Sequence, residues 1–360
     1  VQIIDGRHFS AKPQPRKTMS DKIHAYAAVS KGEKLKPFEY DPGTLGPDQV
    51  EIAVEYCGVC HSDLSMLENE FGMTQYPLVP GHEVVGKIKA IGDHVTDRKV
   101  GQRVGLGWFS GSCMACHNCL SGDHNLCSDT LRCESTIVHR HGGFADRVRA
   151  HWVWTQPLPE ALDYTKAGPL FCGGITVFNP IVQNNVKPTD RVGVVGIGGL
   201  GHMALAFLNK WGCEVTAFTS SDSKREEALR LGAHKIVNTR DKAQLKKIAG
   251  SLNFILSTVS AKLDWDQYMG ALAAKGRFVT VGIVTEPVQL AAFPLIGGQK
   301  SFGGSPLGSP ATIEKMIEFS ARHGISPVTE SYKMSEINEA FEHLKAGKAR
   351  YRIVLTNDIA

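Results

Sequence analysis

Between residues 23 and 150 apolar and polar positions alternate in short runs broken by glycine and proline, most clearly over 49–56, 83–91 and 102–107. Alternation with period two predicts half-buried strands, and their density predicts a small, irregular β-rich domain. The texture changes near Gln156-Pro157-Leu158-Pro159. Beyond it a strand over 191–195 leads into a helix to about Lys210, and a strand over 214–218 into a helix from Lys224 that stops at Gly232. Apolar runs over 253–259 and 277–281 continue the series of buried strands. Strands alternating with helices predict an α/β fold, a doubly wound parallel sheet with helices on both faces. After about Pro310 an amphipathic helix ends near His323-Gly324, a second covers 335–346, and a last strand covers 351–356. This tail is expected to return to the first domain, giving segments 19–170, 171–309 and 310–360.

A chain of 360 residues is long for one core, in keeping with two domains. Hydrophobic residues at 42% and charged residues at 21% suit a globular enzyme. The net charge of +4 is spread among interleaved acids, so nothing in it asks for nucleic acid or an anionic membrane as a partner. The most apolar stretch, Val192 to Leu208, holds five glycines and His202, which fits a strand, turn and helix better than a bilayer span. Residues 1–18 are polar and lack the apolar core of a signal peptide; they read as an arm or an expression remnant, with Met19 as a native start. Free thiols and no export signal point to a reducing cytoplasm.

Candidate chemistry begins with Cys113, Cys116, Cys119 and Cys127, a C-x2-C-x2-C-x7-C lobe. Four thiolates around one tetrahedral zinc leave no open position, so this site is structural. Nine cysteines are too few, and odd in number, for a disulfide framework. An iron-sulfur cluster would call for a fourth cysteine three residues on, followed by proline. A second set of soft ligands must serve any metal chemistry, and Cys60 before His61, His82 before Glu83, and Cys172 stand ready for it. Cys57 reads as a core-facing strand residue, Cys133 and Cys213 as ordinary thiols, and His139 and His141 as a solvated loop face.

Gly196-Ile197-Gly198-Gly199-Leu200-Gly201 follows an apolar strand and opens a helix, the setting in which backbone N–H groups approach a dinucleotide pyrophosphate. An NAD site places a carboxylate about 20 residues on. Here the second strand runs into Thr219-Ser220-Ser221-Asp222-Ser223-Lys224-Arg225. Ser220, Ser221, Lys224 and Arg225 would accept a 2′-phosphate, which predicts NADP(H). Asp222 dissents, and is read as a cap for the following helix.

The stretches Cys57-Gly58-Val59-Cys60-His61-Ser62-Asp63-Leu64, Tyr76-Pro77-Leu78-Val79-Pro80-Gly81-His82-Glu83 and Gly168-Pro169-Leu170-Phe171-Cys172-Gly173-Gly174-Ile175-Thr176-Val177, with the four-cysteine lobe and the glycine turn, resemble the zinc-dependent medium-chain alcohol dehydrogenases from about residue 23 onward. Leu263-Asp264-Trp265 and the tail from Gly347 to Arg352 look like the cinnamyl alcohol dehydrogenase branch, nearest its bacterial broad-range NADPH-dependent aldehyde reductases. The resemblance implies a GroES-like catalytic domain beside a Rossmann domain, two zinc ions per chain and a homodimer or tetramer. It implies Cys60, His82 and Cys172 as catalytic zinc ligands, with Glu83 behind the metal and able to enter its sphere. Asp63 would orient His82, Ser62 would exchange a proton with the substrate oxygen, and His61 and Thr176 would lie at the cofactor. Phe71, Met73, Trp108, Ile283, Pro294 and Leu307 would line an apolar channel suited to aliphatic or aromatic aldehydes.

One departure stands out. Relatives often carry a relay histidine five residues after the first zinc cysteine; here the position is Ser65, so either water or another histidine must end the relay. A cinnamyl-type, polyol or sugar dehydrogenase, a non-catalytic NADP(H)-binding protein and a zinc-ribbon nucleic-acid binder are the competing readings.

Overall fold

Two sheets organise the computed structural model, which describes residues 22–359 apart from the side chain of Asp222. The expected arm, Met19 and the Asp222 cap lie outside the described residues. In the first sheet, β1 (Gln49–Val59) leads into helix α1 (His61–Leu67), followed by β2 (Val84–Ile91), β3 (Arg103–Leu106), β4 (Arg147–His151) and β5 (Gln156–Pro157). Val50, Ile52 and Val54 alternate inward along β1, which is why this strand serves as the spine. It pairs antiparallel with β2 and with β4.

Helix α2 (Gly173–Gln183) links this part to the second sheet. There β6 (Arg191–Val195), α3 (Gly201–Trp211), β7 (Glu214–Thr219), α4 (Arg225–Arg230), β8 (Lys235–Asn238), β9 (Leu252–Ser257), β10 (Leu272–Thr280), α5 (Ala292–Gly298) and β11 (Ser301–Gly304) follow in order, with further helices at Lys242–Lys247 between β8 and β9 and at Trp265–Ala271 between β9 and β10. The strands run in the order β8-β7-β6-β9-β10-β11, all parallel. Strand order therefore reverses between β6 and β9, the crevice where doubly wound sheets take their ligands. The Thr258 hydroxyl donates to Gly196 O at 3.1 Å and ties the two strand ends together.

The chain then forms α6 (Pro310–His323), β12 (Thr329–Lys333), α7 (Ile337–Lys345) and β13 (Arg352–Thr356). β13 lies between β12 and β1, so the tail extends the first sheet and not the second. Expected and observed elements differ mainly at their ends. The helix expected from Lys224 to Gly232 is regular only over Arg225–Arg230, and β10 starts five residues early, before a register shift against β9. The 139–141 loop corrects the expectation of a solvated face: His139 is exposed, but the His141 ring lies 4.5 Å from that of Tyr40. Among the described residues no helix is long and apolar enough to cross a membrane.

Buried His202, on α3, binds the glycine turn to the tail. Its Nδ1–H donates to Gly198 O (3.1 Å), its Nε2 accepts from Val328 N–H (3.2 Å), and its ring stacks on Tyr351 at 4.8 Å. Burial holds the imidazole pKa down at about 4, from an ordinary 6.5. Between those values the unfolded chain binds a proton that the native chain refuses, so stability falls as pH drops through that window, by at most about 3 kcal/mol. Urea midpoints measured from pH 7 to 4.5 are expected to decline more steeply for the wild type than for His202→Gln; equal slopes would remove His202 as the cause.

Candidate active site

The site is assembled around a turn. β1 ends at Val59, and Cys60 caps α1 in extended conformation, its Sγ accepting from Ser62 N at 3.5 Å. Asp63 closes the cap from the other side, accepting Cys60 N–H at 3.0 Å. Its other oxygen accepts Gly81 N–H at 2.8 Å and lies 2.9 Å from His82 Nδ1. A carboxylate only accepts, so Nδ1 carries a proton, and in the neutral imidazole Nε2 is the nitrogen with the lone pair. That lone pair faces Cys172 Sγ at 3.2 Å.

Cys172 comes from the other direction, at the N-cap of α2 after the 3-10 turn Gly168–Phe171. Its sulfur stands 3.8 Å from Cys60 Sγ. Two sulfurs held tetrahedrally at the ~2.3 Å zinc–sulfur distance stand about 3.8 Å apart, so the spacing fits a zinc ion. The hydrogen bond with Cys172 also holds the Cys60 thiol well below its ordinary pKa, against the effect of burial. Glu83 completes a group whose ligand atoms all lie within 4.8 Å of one another. One Glu83 oxygen is ion-paired to buried Arg352, and the other, Oε2, has no partner. Burial raises this carboxyl to about 7, with Arg352 opposing. Gly58 is glycine for a packing reason: a Cβ there would fall 2.0 Å from Glu83 Oε2.

The four-cysteine lobe forms a second group within the same 4.8 Å limit. Cys113 and Cys119 sulfurs are 3.8 Å apart, and Cys113 Sγ accepts the N–H of Ala115 (3.4 Å) and Cys116 (3.2 Å). Backbone donors from Cys119 and Ser128 bring the Cys116 thiol down to about 5. Donors aimed at sulfur favour thiolate, the form that binds metal. Cys57 is fully buried beside the site and takes no part in either group.

At the cofactor crevice Gly196 has φ +90°, and a Cβ on Gly201 would lie 1.8 Å from Gly196 O, so neither position tolerates a side chain. Gly198 faces open space, and a Cβ on Gly199 would lie 3.2 Å from Arg352 Nη1. Leu200 caps α3, and Thr176 is buried on α2. Lys224 Nζ donates to Ile197 O at 3.3 Å, which brings the end of β7 to the glycine turn. Ser220, Ser221, Lys224 and Arg225 are all exposed there, as is His61 on α1.

The anticipated channel residues divide. The Trp108 ring lies edge-on to His82 at 5.2 Å, and Phe71 and Leu307 are half-buried against the main core. Met73 (42% exposed), Ile283 (57%) and Pro294 are exposed on this chain's surface. Ser62 Oγ sits 3.7 Å from Cys60 Sγ. One turn further on, Ser65 Oγ donates to exposed Glu70 Oε2 at 2.5 Å, a partner the sequence reading missed. It missed Arg352 too, although a single cation heading the run Ile353-Val354-Leu355 was a visible signal.

Residues 46–160 match the alcohol dehydrogenase GroES-like domain family, and residues 199–322 match the zinc-binding dehydrogenase family. The aldehyde reductase AdhA of Synechocystis sp. is 56% identical over 93% of this chain and 99% of its own length. A cinnamyl alcohol dehydrogenase of Sorghum bicolor superposes with a TM-score of 0.87 at 38% identity, covering 93% of this chain and 98% of that one. The Helicobacter pylori cinnamyl alcohol dehydrogenase, solved as a complex with NADP(H), gives a TM-score of 0.82 at 30% identity over the same shares. On these matches the chain belongs to the zinc-dependent medium-chain alcohol dehydrogenases, in their cinnamyl alcohol dehydrogenase branch.

Proposed function

We propose that the chain reduces aliphatic and aromatic aldehydes to primary alcohols with NADPH, reversibly, using Cys60, His82 and Cys172 to hold a catalytic zinc and the four-cysteine lobe to hold a structural one. The observation that carries this reading is the convergence of two sulfurs 3.8 Å apart with a ring nitrogen whose tautomer Asp63 fixes. Bound there, zinc supplies polarisation of the carbonyl, and the nicotinamide supplies hydride. The chain's own residues do the rest. Asp63 keeps the Nε2 lone pair directed inward, Ser62 offers a hydroxyl from which the substrate oxygen takes its proton, and Arg352 compensates the Glu83 charge. Ser65, where relatives often carry a histidine, donates to exposed Glu70, and water is the group we favour to end the relay. Trp108 against His82 gives the site an aromatic wall, which favours apolar aldehydes over polyols.

The proposed site predicts a split between its two metals. Cys172→Ala is expected to abolish aldehyde reduction in a folded protein that retains about one zinc per chain. Cys116→Ala is expected to lower the thermal midpoint by at least about 5 °C, since structural zinc contributes folding free energy. Elemental analysis and thermal scans on both variants read the outcome; active wild type with one zinc or none would refute the scheme.

For the cofactor, Ser220, Ser221, Lys224 and Arg225 support NADP(H), because hydroxyls and cations stand where a 2′-phosphate would lie. Two charge-assisted contacts favour NADPH over NADH by about a hundredfold. Ser220→Asp with Lys224→Ala is expected to raise the KM for NADPH by at least that factor while sparing the KM for NADH, as initial rates with each cofactor would report. Equal use of both cofactors by the wild type would contradict the assignment.

The assembly we favour is a homodimer across β11, the outer strand of the parallel sheet. Beside it α5 exposes Phe293 (84%) and Ile296 (75%), surface that a second copy would cover. Phe293→Glu is expected to shift the mass measured by light scattering toward the single chain; an unchanged mass would place the interface elsewhere. The nine unpaired cysteines suit a reducing compartment, and the cytoplasm is the one proposed.

A further inference from the structure

Helix α2 presents more than a candidate zinc ligand. Cys172 at its N-cap, Thr176 and Asn179 recur at spacings of four and three residues, so they share one face. Asn179 is buried, and its amide spends both donors on one stretch of chain: Nδ2 lies 3.0 Å from Ser305 Oγ and 3.2 Å from Pro306 O. The same stretch is gripped from the opposite direction. Asn125, inside the four-cysteine lobe between Cys119 and Cys127, donates Nδ2 to Leu307 O at 2.8 Å. Ser305 N–H donates to Thr280 O at 3.2 Å, the last ladder-like bond before the chain leaves β11 for α6.

Both amides leave their carbonyl oxygens buried and without a partner. A position needed only to fill space would do better with an apolar side chain, because an unsatisfied buried oxygen is a cost with no return in packing. The donors therefore decide these positions, and what they hold is the segment Ser305–Gly308. That segment carries Pro306, which has no N–H to give, and Leu307, whose side chain is half-buried against the core that Trp108 and Phe71 also pack on. Space around it is tight: a Cβ on Gly308 would fall 3.0 Å from Asn179 Oδ1.

We propose that Asn125 and Asn179 are positioning residues that clamp Ser305–Gly308 between the four-cysteine lobe and the helix bearing Cys172, fixing Leu307 as a wall of the aldehyde pocket and giving the lobe a part in substrate selectivity. The selectivity claim rests on the aldehyde reductase reading above and on the channel position that the family resemblance gives Leu307; the clamp rests on the hydrogen bonds alone. Losing one amide donor frees the segment, and Leu307 no longer presents a fixed wall. Large substrates that depend on that wall are affected more than small ones that barely reach it.

The experiment compares the zinc-loaded, full-length wild type with Asn125→Ala, Asn125→Leu and Asn179→Ala. Hydrogen exchange over the peptide spanning 303–309 is expected to rise in all three, with exchange across the rest of the lobe and zinc content unchanged. The ratio of kcat/KM for cinnamaldehyde over propanal is expected to shift about fivefold, the worth of one neutral hydrogen bond, through KM for the aldehyde and not through kcat or the KM for NADPH. Asn125→Leu separates loss of the donor from loss of volume, and Asn179→Ala tests the other jaw without touching the lobe. Unchanged exchange at 303–309 overturns the clamp. Raised exchange with the two aldehydes affected equally overturns the link to selectivity. A wild type that reduced neither aldehyde would instead overturn the functional reading, and exchange would still decide the clamp.

Discussion

One buried carboxylate carries the geometry of the metal group. Asp63 is fully buried, and such a charge is tolerated only when its oxygens are filled with donors. Two backbone N–H groups and one ring nitrogen fill them, from Cys60, Gly81 and His82. Each of those contacts sets a coordinate of the site: where the helix starts, where the Gly81 turn passes, and which way the imidazole points. An apolar residue in its place would leave three donors unanswered in the interior. The thiols, the imidazole and Ser62 all inherit their positions from that arrangement.

The second constraint is close approach. The parallel sheet turns at Gly196, α3 begins at Gly201, and neither point has room for a side chain. Crowding at the glycine turn is what lets a helix N-terminus and its free N–H groups reach the crevice between β6 and β9. Arg352 fills the remaining space. It stands between Gly199, in the nucleotide half, and Glu83, in the metal half, so a single guanidinium adjoins both. His202 adds a neutral link from the same turn to the tail.

Local chemistry was the legible part of the sequence. Cysteine spacing announced the lobe because all four ligands fall within fifteen residues, and the glycine turn announced itself through six. The strands of the parallel sheet were visible because burial on both faces demands unbroken apolar runs. Long-range pairings were not legible. Nothing in the neighbourhood of Arg352 names Glu83, 269 residues earlier, and nothing near Asn125 names Leu307, 182 residues later. Surface exposure was also hidden: the family resemblance places Met73, Ile283 and Pro294 along a channel, and only the folded chain shows that all three are exposed on a single copy. His141 went the other way, since a histidine in a loop gives no hint of an aromatic neighbour a hundred residues before it.

The place of Arg352 on the last strand has a consequence for synthesis. A ribosome delivers Cys60, His82, Glu83 and Cys172 long before it delivers the strand from Arg352 to Thr356, yet Glu83 has its counter-ion only when that strand has docked beside β1. Until then a buried acid stands uncompensated next to two thiols, and the first sheet lacks an inner neighbour for its spine. Docking of that one strand gives Glu83 its counter-ion, β1 its neighbour and the Gly199 turn its guanidinium together, so a chain cut short of Arg352 would lose all three at once.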